Sequence, residues 1–315
     1  MARMLLGRFL FSVATLLGVG LVLFVLTRSV AGSPATIVLG TEATPQQIQQ
    51  FNHDNGLDQP VLVQYWHWLG GLAHGFDFGN SLLTGQPVGP LLRAGFPITL
   101  EIVGLAFVLA VVVALPLGIL SAILQGGIID HAARIVAVLG VSVPGFWIGL
   151  MLIRFPSVEF GWFPPGGWTP LSAGLWPHLK SVILPATALG IYYIAILSRM
   201  TRAGLVDVST RDYMRTARAM GLGRGLMLGY ALKNALVPVV SVGAMSFGYM
   251  FGWALIIEYL FNIPGMSNAL LTAIGNRDYS EVQAIVFVFT LIFIVSNLLA
   301  DSLNAFLNPR LAHAV

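Results

Sequence analysis

Long apolar segments separated by short polar ones dominate the chain. A helix needs about 20 mostly apolar residues to cross the ~30 Å hydrocarbon core of a bilayer. The segments that reach this length predict six transmembrane helices, over about 8–29, 98–123, 134–155, 181–201, 238–261 and 283–306. The third is the least regular, because Pro144 and Gly145 interrupt it. The pattern therefore predicts an all-α integral membrane protein, with the lipid bilayer as its solvent.

Composition supports the same class. Hydrophobic residues make up 57% and charged residues 9% of the chain, whereas an ordinary soluble domain has roughly 25% charged residues. The net charge of +3 comes from basic residues scattered among apolar segments, which form no continuous stripe for a phosphate backbone. No nucleic-acid partner is expected. The absence of cysteine excludes disulfides and thiolate catalysis.

The distribution of Lys and Arg predicts the orientation of the helices, because cytoplasmic flanks carry an excess of these residues. With the N-terminus inside, eleven basic residues fall on inner flanks and five on outer ones. The inner set is Arg3, Arg8, Arg134, Arg199, Arg202, Arg211, Arg215, Arg218, Arg224, Lys233 and Arg310. The outer set is Arg28, Arg93, Arg154, Lys180 and Arg277. We therefore expect both termini in the cytoplasm.

This orientation divides the chain into segments. Residues 1–29 form the N-terminal end and first helix, 30–97 an extracytoplasmic segment, 98–306 the core with a cytoplasmic loop at 202–237, and 307–315 a cytoplasmic tail. In the 30–97 segment, Thr44 and Pro45 predict a helix start and Gly56 its stop. A second, aromatic-rich helix is expected after Pro60. It either packs on the bundle as an interfacial cap or contacts an external partner.

The segment Asp212–Pro238 is the most informative, because it is basic and rich in Ala and Gly between two apolar runs. Exposed arginines offer paired hydrogen bonds to acidic groups. Small side chains at Ala217, Ala219 and Gly221 would let a partner approach closely. We expect a soluble protein to dock here. The alternative is that the arginines only set the topology or bind anionic lipid headgroups.

Catalytic patterns are scarce. Both lysines, Lys180 and Lys233, follow Leu rather than Gly, so no Walker A phosphate loop is present. The six histidines show no metal-binding spacing. Ionisable residues at membrane depth are functional candidates by default, but all four here lie near predicted helix ends, where headgroups or water are expected to reach them. These are Glu101, Arg154, Glu258 and Asp301.

Ten collinear sequence blocks resemble one transporter family over nearly the whole chain. They include FDFGNSL at 76–82, FPITLEIV at 96–103, VSVPGFWIGL at 141–150, LSRMTRAGLVDVSTRDYMRTARAMGLG at 197–223 and NRDYSEVQ at 276–283. The chain resembles the DppB/OppB-type permease subunit of peptide-importing ABC transporters. This resemblance implies the type I importer permease fold with six transmembrane helices and a small extracytoplasmic helical insertion between the first two.

The resemblance also gives the basic segment a role. In this family a short cytoplasmic coupling helix, the EAA motif, docks in a groove of the ATP-binding subunit. Arg215 stands here where the motif's name has Glu, followed by Thr216 and Ala217, with Gly221 further on. The coupling residues implied are Arg211, Asp212, Arg215, Thr216, Ala217, Arg218, Gly221 and Arg224.

By the same resemblance, the chain is a non-catalytic subunit in a bacterial cytoplasmic membrane. Its partners would be a second permease, two ATP-binding subunits or one fused ATPase, and an extracytoplasmic solute-binding protein. ATP and Mg²⁺ would bind those partners, and this chain would hold no cofactor or metal. Peptides are the expected substrate, with nickel, glutathione or haem as alternatives. Expected contacts along the substrate path are Ser142, Ser246 and Tyr249.

Two other classes fit less well. A secondary transporter working without ATP is expected to show repeated halves or midplane ionisable sites. A membrane enzyme would need a placed catalytic pair. The sequence shows no sign of either arrangement.

Overall fold

The structure, a computed structural model, describes residues 2–29, 34–40 and 42–307. The expected tail beyond Leu307 lies outside this range. Within the described residues the chain is helical, without a β-strand. The helices are α1 (Ala2–Ser29), α2 (Pro34–Leu39), α3 (Pro45–Asp54), α4 (Val61–Ala73), α5 (Val88–Ile123), α6 (Ile128–Ser142), α7 (Gly145–Leu152), α8 (Leu175–Thr210), α9 (Asp212–Ala219), α10 (Arg224–Leu260), α11 (Met266–Asn276) and α12 (Tyr279–Leu307).

The predicted all-α membrane class is confirmed. In the described part of the chain, five helices are long and apolar enough to cross a membrane, or six if one bent pair forms a single span. The five contain the predicted segments and extend beyond them. For example, α5 begins at Val88 and α8 covers Leu175–Thr210. The helices run longer than the apolar windows because their polar end turns stay helical after the hydrophobic stretch has stopped.

The predicted third span is not one straight helix. The helix α6 and the segment Gly145–Glu159 meet at an angle of 99°. Val143 and Pro144 at the break are extended, with ψ of 126° and 134°. Proline lacks the backbone N–H that would continue α6, and it disfavours helical geometry in the residue before it. The predicted interruption at Pro144 and Gly145 is confirmed, and the two helical parts cover Ile128–Ser142 and Gly145–Glu159, beyond the predicted 134–155 at both ends.

The chain divides into two compact units. The first comprises Met1–Phe9, Leu100–Ile263 and Ile292–Val315. Its central helix is α8, of which 67% of the most apolar window is buried, and α6, α7 and α10 pack against it. Gly118 of α5 lies so close to α8 that an added Cβ would stand 2.6 Å from the Ser198 carbonyl oxygen. Such small residues permit the close packing on which helix association in lipid depends.

The second unit comprises Leu10–Thr99 and Pro264–Leu291. Its helix α3 starts as predicted, because the Thr44 hydroxyl accepts from the Gln47 amide and the Gln47 side chain accepts from the Thr44 amide. The reciprocal bonds form a capping box. The helix stops before Gly56, which has a positive φ of 64°.

The helix α4 follows Pro60 as predicted and packs within the second unit. Tyr65 is buried and donates a hydrogen bond of 2.6 Å to the Leu17 carbonyl on α1. Phe24 and Trp68 join it in an aromatic cluster, whereas Trp66 remains 63% exposed. One face of α4 therefore packs on α1 and the other face stays open, while its place as an interfacial cap stays a prediction.

Candidate functional site

The basic segment forms a short helix between two sharp turns. The helix α8 ends at Thr210, Arg211 is extended with ψ of 150°, and α9 begins at Asp212. After α9 the chain turns again and enters α10 at Arg224. The sequence prediction of a helix at this place is confirmed. Two turns set these eight residues apart as a separate short helix.

One apolar side chain fixes α9 to the first unit. Met214 is 3% exposed and lies in a hydrophobic cluster with Leu205 and Val208 of α8 and Ala231 and Ala235 of α10. Burial of a methionine side chain stabilises by roughly 1.5–3 kcal/mol. Because Met214 joins the ends of both long helices, a displacement of α9 would be transmitted to α8 and α10 together.

Met214 turns one face of α9 toward α8 and α10. Ala217 lies one turn after Met214, on the same face, and is half-buried. Ala219 and Gly221 are exposed. Contact of these three small residues with a partner stays a prediction.

Gly221 has a backbone role. Its φ is +76°, and its amide donates to the Arg218 carbonyl at 3.1 Å. Leu222 donates to the Ala217 carbonyl at 3.2 Å. A left-handed glycine after the last helical turn closes the free carbonyls of a helix end at little steric cost. Gly221 thus ends α9 and directs the chain into α10.

Only some of the charged residues in and around α9 form ion pairs with described residues. Arg211 bonds Asp207 at 2.7 Å, and this hydrogen bond raises the pKa of the Arg211 guanidinium. Arg215 lies 3.7 Å from the exposed Asp212, and the hydroxyl of Thr216 donates to the Asp212 carbonyl. Arg218 and Arg224 are exposed and form no ion pair with a described residue. These two arginines are available to an acidic partner.

Large apolar side chains are exposed beside these arginines. Met220 is 74% exposed and Leu226 is 65% exposed. Tyr213 and Tyr230 are also exposed. We call these four residues with Arg218 and Arg224 the coupling surface. Aromatic, Met and Arg side chains are enriched where proteins associate, so the surface has the composition of a protein interface.

A buried ion pair that the sequence did not reveal joins α6 to α8. Asp130 at the start of α6 is 1% exposed and accepts two hydrogen bonds from Arg202 of α8. Ser121 donates to it at 2.6 Å and the Gly126 amide at 3.0 Å. In the sequence, Arg202 had been interpreted only as an orientation signal. The one clue was an acidic residue in the first turn of a helix, where the helix dipole favours it.

The four ionisable residues near helix ends have different surroundings. Glu101 bonds His178 at 2.6 Å and accepts from the Trp168 indole at 2.9 Å. Arg154 pairs with Glu159, and Asp301 is half-buried. Glu258 is 0% exposed. The expectation that headgroups or water reach it is therefore wrong for Glu258.

The three residues expected along a substrate path are not gathered into one site. Ser246 and Tyr249 lie one turn apart on α10, where Ser246 is buried and Tyr249 is 54% exposed. Ser142 is exposed at the end of α6, and no hydrogen bond or ring contact joins it to either residue. Their role stays a prediction. Nor do three or more His, Asp or Glu side chains of the described residues converge on a metal position.

Comparison with known families covers almost the whole chain. Residues 114–313 match the family described as the inner membrane component of binding-protein-dependent transport systems. Residues 1–103 match the N-terminal family of the same membrane components. The two matches contain every helix that forms the coupling surface, as well as the second unit's helices α1 to α4.

Curated relatives agree with this assignment. A peptide ABC transporter permease protein of Sinorhizobium fredii is 36% identical over 98% of this chain and 99% of its own length. A peptide transport system permease protein of Brucella abortus is 35% identical over 99% of this chain and 100% of its own. The glutathione transport system permease protein of Escherichia coli K12 is 36% identical over the same shares. The chain therefore belongs to the binding-protein-dependent transport family, as a multi-pass permease component of an ABC transporter.

Proposed function

We propose that this permease forms half of the translocation path of an ATP-driven importer, with a second permease of similar fold as the other half. Two ATP-binding subunits, or one fused ATPase, would bind ATP and Mg²⁺ and hydrolyse the nucleotide. An extracytoplasmic solute-binding protein would deliver the substrate. This chain would catalyse no reaction itself.

The position and packing of α9 are the observations that support this proposal most strongly. The helix lies between two turns, Met214 anchors it to both α8 and α10, and its open face carries Arg218 without an ion partner among the described residues. An element of this kind suits the transfer of motion from a soluble subunit to membrane helices. Closure of the ATPase dimer would push α9, and α8 and α10 would follow.

The proposed orientation places the coupling surface in the cytoplasm. Both termini would then be cytoplasmic, the 30–97 segment extracytoplasmic, and the membrane a bacterial inner membrane. The excess of arginine around α9 supports this direction. The open face of α4, with Trp66 exposed, suits either the outer membrane interface or the solute-binding protein.

Short peptides are the substrate class that we propose. Relatives named for peptides and for glutathione have nearly the same identity to this chain, and glutathione is itself a tripeptide. Selection between such substrates would rest largely with the solute-binding protein. Uptake of labelled di-, tri- and tetrapeptides, with glutathione, by cells that carry or lack this gene tests the class. Uptake that does not depend on the gene for any of them would contradict it.

Charge reversal tests the coupling role. Arg218→Glu places a negative charge on the coupling surface, and Arg93→Glu is a control at another exposed arginine that forms no ion pair with a described residue. We expect Arg218→Glu to reduce co-purification of the ATP-binding subunit and substrate-stimulated ATP hydrolysis at least tenfold, since a misplaced interface charge costs well over 1.4 kcal/mol. Equal effects of the two variants would contradict the proposal.

A further inference from the structure

An apolar groove lies among the long helices of the first unit. Helices α5, α8, α10 and α12 line a cavity of about 390 Å³, within the range of roughly 300–1,000 Å³ usual for small-ligand sites. On α10 the lining residues are Leu236, Val240, Gly243 and Phe247, and Phe107 of α5 lies opposite. All four helices belong to membrane-spanning segments.

The chemistry of the groove excludes a peptide. Among its described lining residues, Ser296 has the only polar side chain. Its hydroxyl already donates to the Ile292 carbonyl at 2.7 Å. A peptide amide here would lose its hydrogen bonds to water without replacement, at a cost of several kcal/mol. The groove thus suits an apolar chain, and at membrane depth the available apolar chains are lipid tails.

Gly243 lies in the wall of the groove without a side chain. A Cβ added there would stand 3.8 Å from the Phe107 ring and 4.0 Å from Leu197. These are ordinary contact distances, so the backbone tolerates a side chain at this position. A larger side chain would extend into the groove and occupy it.

An exposed lysine precedes the groove-lining residues on α10. Lys233 lies three residues before Leu236, on the same stripe of α10 as Val240, Gly243 and Phe247. It is exposed and forms no ion pair with a described residue. Because helical side chains lean toward the N-terminus of their helix, the ammonium extends past the end of the groove. In the proposed orientation this end faces the cytoplasmic headgroup layer.

We infer that the groove holds one acyl chain of an anionic phospholipid from the cytoplasmic leaflet and that Lys233 binds its phosphate. The inference rests on the proposed orientation. The apolar groove suits the acyl chain of such a lipid, and Lys233 suits its phosphate. A lysine near an anionic membrane surface strengthens binding severalfold.

Native mass spectrometry of the purified full chain, with any subunits that co-purify, tests this site. The complex is titrated with palmitoyl-oleoyl phosphatidylglycerol or with the matching phosphatidylcholine. We expect Gly243→Leu to abolish one bound lipid of either type. Lys233→Gln should weaken phosphatidylglycerol binding about fivefold and phosphatidylcholine binding little. Lys180→Gln, at the only other lysine of the chain, is the matched control and should change neither.

The outcomes separate this inference from the proposed function. Equal phosphatidylglycerol binding by the wild type, Lys233→Gln and Lys180→Gln would overturn the lipid site, even if the ATP-binding subunit co-purifies. Release of a second permease by Gly243→Leu, without loss of lipid, would identify the groove as a subunit interface and would also overturn it. If no ATP-binding subunit co-purifies with the chain, the proposed function is contradicted, and the lipid titration still tests the lipid site.

Discussion

Arg202 of α8 donates two hydrogen bonds to Asp130 at the start of α6, from Nε at 2.6 Å and from Nη2 at 2.9 Å. The side chain of Asp130 is 1% exposed, and Arg134 approaches it from the next turn of α6 at 3.6 Å. Removal of one partner from a buried ion pair leaves an uncompensated charge. This pair therefore fixes α6 to the helix that leads into α9.

We predict that Asp130→Asn lowers the unfolding temperature of the purified permease by several degrees. The amide leaves the Arg202 guanidinium without its anionic partner. Glu159→Gln removes an exposed pair with Arg154 and should change the unfolding temperature little, since exposed pairs contribute little. Scanning fluorimetry in detergent measures both. Equal changes of unfolding temperature in the two variants would show that the Asp130–Arg202 pair stabilises the permease no more than an exposed ion pair does.

Gly221→Ala should destabilise the turn after α9. A non-glycine residue in the left-handed region costs about 1–2 kcal/mol, and Gly221 has a φ of +76°. Gly223→Ala is the control, because Gly223 has a φ of −62° and free space around its Cα. We expect reduced substrate-stimulated ATP hydrolysis for the first variant only. The same activity in both would mean that the turn does not constrain α9.

Met214→Ala should loosen the contact of α9 with α8 and α10. Truncation of a buried methionine costs about 2–5 kcal/mol, and Met214 is the residue of α9 in the cluster with α8 and α10. We expect faster amide hydrogen exchange over 212–219 in the permease. Met220→Ala, at a 74% exposed position, should leave this exchange unchanged. Faster exchange in both variants would contradict the anchoring role of Met214.

The pair of His53 and Asp58 predicts a local pH dependence in the second unit. Their side chains are 2.9 Å apart. The hydrogen bond raises the His53 pKa above 6.5 and lowers that of Asp58 below 3.8. The stabilisation is therefore present between these ordinary values. It is lost as pH rises through the raised His53 pKa or falls through the lowered Asp58 pKa.

Imidazole NMR of the labelled permease tests this pair. Asp58→Asn should return the His53 pKa toward 6.5. Asp54→Asn should have a smaller effect, because Asp54 acts on His53 only by a weak charge interaction. An unchanged His53 titration in Asp58→Asn would show that the pair does not form in solution.

The helices of this protein could be predicted because local signals suffice for them. Apolar length located the spans, and the Thr44 side chain and Pro45 located the start of α3. Pro144 marked an interruption, yet its 99° bend depends on packing that a linear pattern does not contain. Most predicted helices were too short, because hydropathy marks only the part of a helix inside the membrane. The backbone hydrogen bonds of the helix continue into the polar residues beyond it.

The site could be located but not oriented from sequence. The position of α9 followed from its basic composition and family resemblance. Which face it turns outward depends on Met214 contacting residues of two other helices. Likewise, Asp130 and Arg202 are 72 residues apart, so no local spacing connects them. Contacts between residues far apart in the sequence orient α9 and form the Asp130–Arg202 pair, so local sequence patterns could not predict either feature.

Cross-linking between α9 and the ATP-binding subunit tests whether this helix docks on that subunit. The chain has no cysteine, so Ala219→Cys places a single thiol on the exposed face of α9, and Ala173→Cys is a control on an exposed loop. With a short thiol-to-amine cross-linker in the assembled transporter, we expect a permease–ATPase adduct from Ala219→Cys and none from Ala173→Cys. Absence of the adduct from Ala219→Cys, or its formation from both variants, would show that α9 is not the docking helix.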